Sequence, residues 1–319
     1  MKKQLRTAVA TCILFFLFLS PAMAAQTQLI FAGSKVGGTW FILCGAFAQI
    51  VNRHMPGYEA SPSPSSGSFE NVRNLRDGVV DCAMLLPNVA YAAHHGQEPW
   101  RDAKYEGLRA MFNTYTSAFM IITKADSGIK TISDLKGKRV AIGSPGSSES
   151  SIFAAVLPHY GMDLKSFKTF PLSDAESSSA IIDGQIDAGL FITGVTAPTI
   201  KELTTTCDTH FIPIDPEILD KVQGEIPYFV NGEIPADTFK LQSEAVPTVL
   251  IWGQICCTED TDEEFVYNFV KQVFEHKEEV ESLNALFKEV TLENVTDGMP
   301  VPMHPGAIRY FKEQGVSKF

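Results

Sequence analysis

Hydrophobic and polar positions in this 319-residue chain follow one plan twice. Phe31-Ala32-Gly33-Ser34 is followed by Gly37-Gly38-Thr39 and then by apolar residues at helical spacing to about Val51. Ala141-Ile142-Gly143-Ser144 is followed by Gly146-Ser147-Ser148 and a helix-like stretch from Glu149 to His159. Each predicts a strand, a Gly/Ser turn and a helix. A second matching pair comes next. Ser68-Phe69-Glu70 leads through a helical pattern to Asp77-Gly78-Val79-Val80-Asp81 and the apolar Cys82 to Leu86. Asp174-Ala175-Glu176 leads to Asp183-Gly184-Gln185-Ile186-Asp187 and Ala188 to Ile192. Both predict helix, Asp-Gly turn and buried strand. Gly78 and Gly184 suit the residue after a helix end, where left-handed backbone is cheap only without a Cβ.

Two matches in the same order, offset by about 110 and 106 residues, predict two lobes of one β-α-β plan, with parallel sheets covered by helices on both faces. Ile132 to Lys138 reads as a short helix and turn, and Glu263 to Phe287 as one or two amphipathic helices. Pro213 to Pro247 is proline-rich, weakly periodic and expected to be loop. Leu108 to Ile122 and Val246 to Cys257 read as a pair of strands that cross between lobes. Lobe 1 is then expected over 26–118 plus 252–319, and lobe 2 over 119–251.

The first residues alter the charge. Lys2, Lys3 and Arg6 precede an apolar run from Ala8 to Leu19, a Ser20-Pro21 break and the small residues Ala22-Met23-Ala24. This predicts an export signal over 1–24, cleaved near Ala24/Ala25, because the run is too short for a membrane-spanning helix. The whole chain carries 26 Lys+Arg against 37 Asp+Glu, net -11; without those three cations it carries 23 against 37, net -14. A composition of 45% hydrophobic and 20% charged residues is that of a packed globular protein, and its acidity argues against broad nucleic-acid contact. The expected location is the bacterial periplasm, and the expected state a monomer. Past the leader, Cys44, Cys82, Cys207, Cys256 and Cys257 have no metal-ligand spacing and read mostly as small buried apolar residues; an oxidising compartment would permit a disulfide.

In open parallel sheets, ligands sit beyond the carboxyl ends of the strands. Here those ends carry Gly33 to Trp40, Ser65-Ser66-Gly67-Ser68 and Ser144 to Ser148. Each opens a helix, where free N–H groups and the helix dipole favour an anion. Ser and Thr at such places also serve as ordinary helix caps. Three such loops in two related lobes favour an anion-binding cleft. No P-loop ending, clean dinucleotide fingerprint or Gly-x-Ser-x-Gly is present, and no nucleophile–base pair stands out, so neither an enzyme nor a cofactor is expected. His54 and His94-His95 read as helix ends, and the repeated Asp pairs as structural. Arg139, the one arginine within 119–251, precedes a strand and so lies at the end opposite the ligand; backbone N–H groups, hydroxyls and Lys35 would hold an acidic ligand instead. Gly38, Thr39, Trp40, Ser66, Ser68, Asn88, Tyr115, Gly146, Ser147, Ser148 and Phe191 are the expected lining, with Trp40, Tyr115 and Phe191 as aromatic walls.

The chain after its leader resembles the TAXI family of TRAP-transporter solute receptors. The resemblance rests on Gly37-Gly38-Thr39-Trp40-Phe41, Ser66-Gly67-Ser68-Phe69-Glu70-Asn71, Asn88-Val89-Ala90-Tyr91, Ala125-Asp126-Ser127-Gly128-Ile129, Asp134 to Val140 with Pro145-Gly146-Ser147, and Asp183 to Ala188. It implies a type II periplasmic binding fold, with two Rossmann-like lobes that close on a ligand. It also implies delivery of a small carboxylate, glutamate or a related dicarboxylate, to an ion-gradient-driven membrane permease. Trp40 stands where the family usually has tyrosine, Ile42 where proline is common, and Pro87-Asn88 where Ser/Gln-Asp is usual. A sensor that presents the bound solute to a membrane signalling receptor is the alternative.

Overall fold

The computed structural model describes residues 26–144, 147–195, 197–226 and 228–319. The leader over 1–24 and Gly146 lie outside them.

The first repeat folds as β1 (Thr27–Ala32), α1 (Thr39–His54), β2 (Tyr58–Ser63), α2 (Ser68–Arg76), β3 (Cys82–Leu85) and α3 (Pro87–His95). The long strand β4 (Leu108–Lys124) then carries the chain across. The second repeat is β5 (Arg139–Ala141), α4 (Glu149–Val156), β6 (Lys168–Phe170), α5 (Asp174–Ile182) and β7 (Ala188–Thr193). It is followed by α6 (Pro198–Thr206), β8 (Thr209–Phe211), α7 (Pro216–Glu225) and β9 (Val230–Ile234). The second long strand, β10 (Val246–Thr258), returns the chain to α8 (Glu263–Glu275), α9 (Lys277–Leu283) and α10 (Pro305–Glu313).

The two repeats share topology as well as order. β1 pairs in parallel with β2 and β3, and β5 pairs in parallel with β6 and β7. The recurring aspartates explain part of this. Asp81 Oδ2 accepts from Ile30 N at 2.7 Å, and Asp187 Oδ2 accepts from Arg139 N at 2.8 Å. Asp81 N donates to Ile30 O, and Asp187 N to Arg139 O. Each aspartate therefore clamps its own strand to the strand that opens the repeat. Gly78 (φ 67°) and Gly184 (φ 71°) turn the chain into those strands in the left-handed region that favours glycine. Arg139 also takes Asp187 Oδ1 at 2.7 Å, so the arginine is spent on this clamp.

All ten strands form one sheet, ordered β2-β1-β3-β10-β4-β7-β5-β6, with β8 against β4 and β9 against β10. Within each repeat the pairing is parallel, as expected, and the two crossing strands add antiparallel pairing: β10 with β3, β4 and β9, and β4 with β7 and β8. A strand that passes out of one lobe and another that returns must run in opposite directions. Their shared ladder shifts register between Trp252 and Gln254, at Gly253. The segment expected to be loop also holds α7 and β9. α7 opens on Asp215-Pro216, a proline at the first helical position, where its missing N–H costs nothing.

Buried side chains divide into separate clusters along this sheet. One draws on positions 29–115 and 252–311 and is built on phenylalanines: Phe31 on Phe269 (5.3 Å between ring centroids, 71°), Phe47 on Phe112 (5.6 Å, 84°), and Phe274 on Phe311 (5.3 Å, 85°). These edge-to-face contacts place ring edges on ring faces. Two further clusters draw on positions 118–251. The five described cysteines are free thiols; Cys44, Cys82, Cys256 and Cys257 are fully buried, and burial pushes the Cys257 thiol up to about 12.

Candidate functional site

A cavity of about 520 Å³ opens where the carboxyl ends of the repeated strands from the two lobes face each other. Its lobe 1 wall includes Trp40, Ser66, Ser68 and Arg73; its lobe 2 wall includes Ser147, Ser148, Glu149 and Ile192. Asn88 bridges the two. Its Nδ2 donates to Ser148 Oγ at 2.9 Å and to Ser151 Oγ at 3.3 Å. Among the described residues these are the only side-chain hydrogen bonds that join 26–118 or 252–319 to 119–251.

The three loops expected to bind an anion differ in how their helix ends are satisfied. At α2, Ser66 donates from both its backbone N (2.9 Å) and its hydroxyl (2.5 Å) to Glu70 Oε2, which lowers the Glu70 pKa. Ser68 Oγ accepts from Leu86 N at 3.0 Å and ties α2 to the end of β3. At α4, the chain supplies its own carboxylate, Glu149. At α1, the capping residue is Gly38, no side chain caps the helix, and its first turn holds no acid. The α1 end is thus the open helix terminus of the three. Gly38 permits this loop: a Cβ there would meet Ser34 Oγ and, at 3.0 Å, the Lys35 carbonyl.

Thr39 and Trp40 start α1, both half-buried. Tyr115 is a buried support for them rather than an open wall. Its hydroxyl lies against Thr39, Trp40 and Ser117, and burial pushes its pKa up to about 12. Trp40 lies across β10. A Cβ on Gly253 would come within 3.2 Å of Trp40 Nε1 and 3.0 Å of Thr114 Oγ1, so the bare backbone at the register shift leaves room for the indole. Phe191 is a correction. It is fully buried, in the cluster with Met120, Ile181 and Leu203. Side chains alternate across a strand, so the cavity receives the next residue, Ile192.

Two charged residues of the cavity were missed by the sequence reading. Arg73, on the exposed side of α2, lies 5.9 Å over the Trp100 ring, whose plane parallels Phe69. Arg139 is the one arginine of 119–251, whereas Arg73 belongs to 26–118. Glu149 is only 7% exposed. Burial pushes its carboxyl pKa up; the Ser147 hydroxyl and its own backbone N–H pull it back. Glu149 Oε2 and Ser147 Oγ crowd together above Gly143, so the hydroxyl faces the carboxylate. Gly143 (φ 85°) is what makes the space, since a Cβ would stand 2.5 Å from that Oε2. Beside it, Asp174 is raised to about 6, by burial first and then by the Glu149 charge, with Lys35 of the facing loop opposing.

His54, His276 and Glu279 bring three ligand-type atoms within 4.8 Å of one another. They lie at the far end of α1, where Glu279 Oε1 meets His54 at 2.9 Å and its Oε2 takes Arg53 at 2.8 Å, a self-satisfied ion-pair cluster. His94 and His95 end α3 before Gly96 in left-handed backbone, as a helix end should.

Residues 31–315 match the NMT1-like family. Among solved structures, the fold is similar to a TctC solute-binding protein from Polaromonas (TM-score 0.58, 16% identity, covering 92% of this chain and 99% of that one). It is also similar to the periplasmic aliphatic sulphonate-binding protein SsuA of Escherichia coli (0.54, 15%, covering 89% and 78%). A third is PhnD1 of Prochlorococcus marinus in complex with methylphosphonate (0.54, 13%, covering 82% and 90%). At these identities the likeness establishes the architecture, a two-lobed α/β binding-protein fold.

Proposed function

Since the chain belongs to the NMT1-like family, we propose that it is a periplasmic solute-binding receptor that captures a small organic anion between its lobes. It would hand that solute to a membrane-embedded, ion-gradient-driven TRAP permease. The lobes comprise 26–118 plus 252–319, and 119–251, and residues 1–24 direct export. The observation that carries the reading is the inter-lobe cavity with one open helix terminus, at α1, beside Trp40 and Arg73.

An anionic group meets the free N–H groups of the first turn of α1, and Arg73 can add a paired donor set suited to a carboxylate. Thr39, Trp40, Ser147 and Ser148 shape the remaining volume. Contacts made to both walls exist only when the lobes are together, so the solute shifts the equilibrium toward closure by its differential affinity. The permease reads the closed shape. No bond is made or broken.

A thermal-shift screen of C3–C6 mono- and dicarboxylates and amino acids tests this, on protein unfolded and refolded to strip any carried-over solute. A true solute raises the melting temperature by mass action. A screen in which only neutral or cationic compounds stabilise the protein refutes the anion reading.

A further inference from the structure

Away from the cleft, metal-ligand side chains gather at the far end of α1. His54 closes that helix, His276 follows α8, and Glu279 lies in the first turn of α9. His54 Nε2 stands 2.9 Å from Glu279 Oε1, a residue 225 positions further along the chain. His276 Nδ1 stands 3.4 Å from the same oxygen, and the three atoms all lie within 4.8 Å of one another. Ligands bound to a tetrahedral zinc at about 2.0–2.2 Å stand roughly 3.3 Å apart, so the donor spacing suits such an ion.

Ion pairing accounts for the carboxylate but not for His276. Arg53 Nη1 donates to Glu279 Oε2 at 2.8 Å and His54 meets Oε1, so both oxygens are served without it. At 3.4 Å, His276 Nδ1 is past a well-formed N–H···O bond. Its ring instead lies flat on that of His54, with 3.6 Å between centroids and 8° between planes. Two imidazolium cations in such a stack repel, so it favours neutral rings, each with a nitrogen lone pair to offer. Arg53 meanwhile fixes the carboxylate with Oε1 toward both rings, the service that a hydrogen-bonded neighbour gives to a metal ligand. The surroundings favour a cation. A cavity of about 520 Å³ opens beside the cluster, lined by Glu275, Glu278, Glu279 and Glu281 against Lys277, which is turned to Glu281 at 2.6 Å. α1 and α8 both end at the cluster and the short α9 begins there, so the helix dipoles on balance draw positive charge. Lone pairs lie in the ring planes, so an ion shared by both rings needs the stack to splay; His276 lines the cavity and has the room to tilt.

We propose that His54, His276 and Glu279 form a binding site for a divalent ion of the zinc class, with water from the acidic cavity completing its coordination. Two imidazoles and one carboxylate select such an ion over calcium or magnesium, which take oxygen ligands. The histidines bind it in their neutral form, so binding weakens as pH falls through the histidine range. All three ligands belong to 26–118 plus 252–319, at the end of α1 opposite the cleft, and the proposal is independent of the receptor reading. Its effect is mechanical. The ion pins the end of α1 to the junction of α8 and α9, and because folding brings these ligands together, binding stabilises the folded chain by mass action.

Isothermal titration of the untagged full chain with zinc chloride, after dialysis against a chelator, tests the proposal. The wild type should take up about one zinc per chain and melt at a higher temperature with it. His54→Ala and His276→Ala should each weaken binding by about 100-fold or more, since loss of even a ligand's hydrogen-bonding neighbour costs about 10–100-fold. His94→Ala should bind as the wild type does. No uptake by the wild type overturns the proposal. So does an affinity unchanged in both ligand variants, which would place the ion elsewhere, at His94 and His95 or at Cys207. A wild-type measurement covers variants that do not fold: zinc should shift the assigned imidazole magnetic-resonance signals of His54 and His276, and signals that stay in place overturn the site.

Discussion

Asn88→Ala removes the side-chain bridge between the lobes. Two neutral hydrogen bonds are lost, at 2.9 and 3.3 Å, each contributing about 0.5–1.5 kcal/mol net. The longer one belongs at the low end of that range. Loss of the unpartnered Asn88 Oδ1 returns part of the cost, because a buried acceptor without a donor disappears with it. The closed arrangement should therefore lose about 1–2 kcal/mol relative to the open one, a factor of about 5–30 in their ratio. Pulsed electron–electron distance measurements between spin labels at Asp102 and Lys165, exposed positions in the two lobes, read that ratio directly. A Cys207→Ser background keeps the half-buried thiol from taking a label. The unliganded variant should show the longer distance enriched by that factor. Its urea midpoint should stay near wild type, because none of the three buried clusters contains Asn88. A distance distribution identical to wild type would refute the assignment of these bonds to closure.

Three further outcomes follow from the same geometry. Gly143→Ala forces a side chain into left-handed backbone and against Ser147 and Glu149, so it should lower stability by about 1–3 kcal/mol in a denaturant titration and weaken solute binding as well. Phe112→Ala empties the meeting point of Phe47, Phe269 and Phe287 and should cost about 3–5 kcal/mol by the same measurement. Asp174 has a folded pKa of about 6, above its unfolded value, so its contribution to stability falls as pH rises from about 4 to 6. Asp174→Asn should accordingly add about 1–2 kcal/mol at pH 7.5, after discounting for partial exposure, and nothing below pH ~4; a gain that is the same at both pH values would refute this account.

What could be read from the sequence was what backbone geometry dictates. Gly78 and Gly184 announce helix ends because only glycine sits comfortably there, and Asp81 and Asp187 recur because each clamps a strand start. The crossing strands were visible as long apolar runs. Their antiparallel pairing was not, since it depends on how the chain returns rather than on local pattern. α7 was legible in retrospect from Asp215-Pro216, but proline content outweighed that signal. Strand-end logic pointed to Trp40, Ser66, Ser68, Ser147 and Ser148, which line one cavity, and to Asn88, which hydrogen-bonds Ser148 at its edge. Phe191 was one residue out, an error that a period-two strand converts into the opposite face. Glu149 and Arg73 carried no local mark. An acid at a helix start and a base on a helix face are ordinary in sequence, and only burial and the opposing wall make them unusual. Gly253 is similar, since nothing along the chain shows that an indole crosses it.

The phenylalanine core joins Phe31, among the first residues of the described chain, to Phe269 and Phe311 near its close. That has a consequence for the order of assembly. A chain emerging from its amino end presents β1, α1 and β2 long before the helices that cover them exist. The middle segment, with its own buried clusters at 118–251, can settle first. The opening third must wait until residues 252–311 have been released. Such an interlock ties the packing of β1, α1 and β2 to the arrival of the helices that cover them, however early the strands themselves are made.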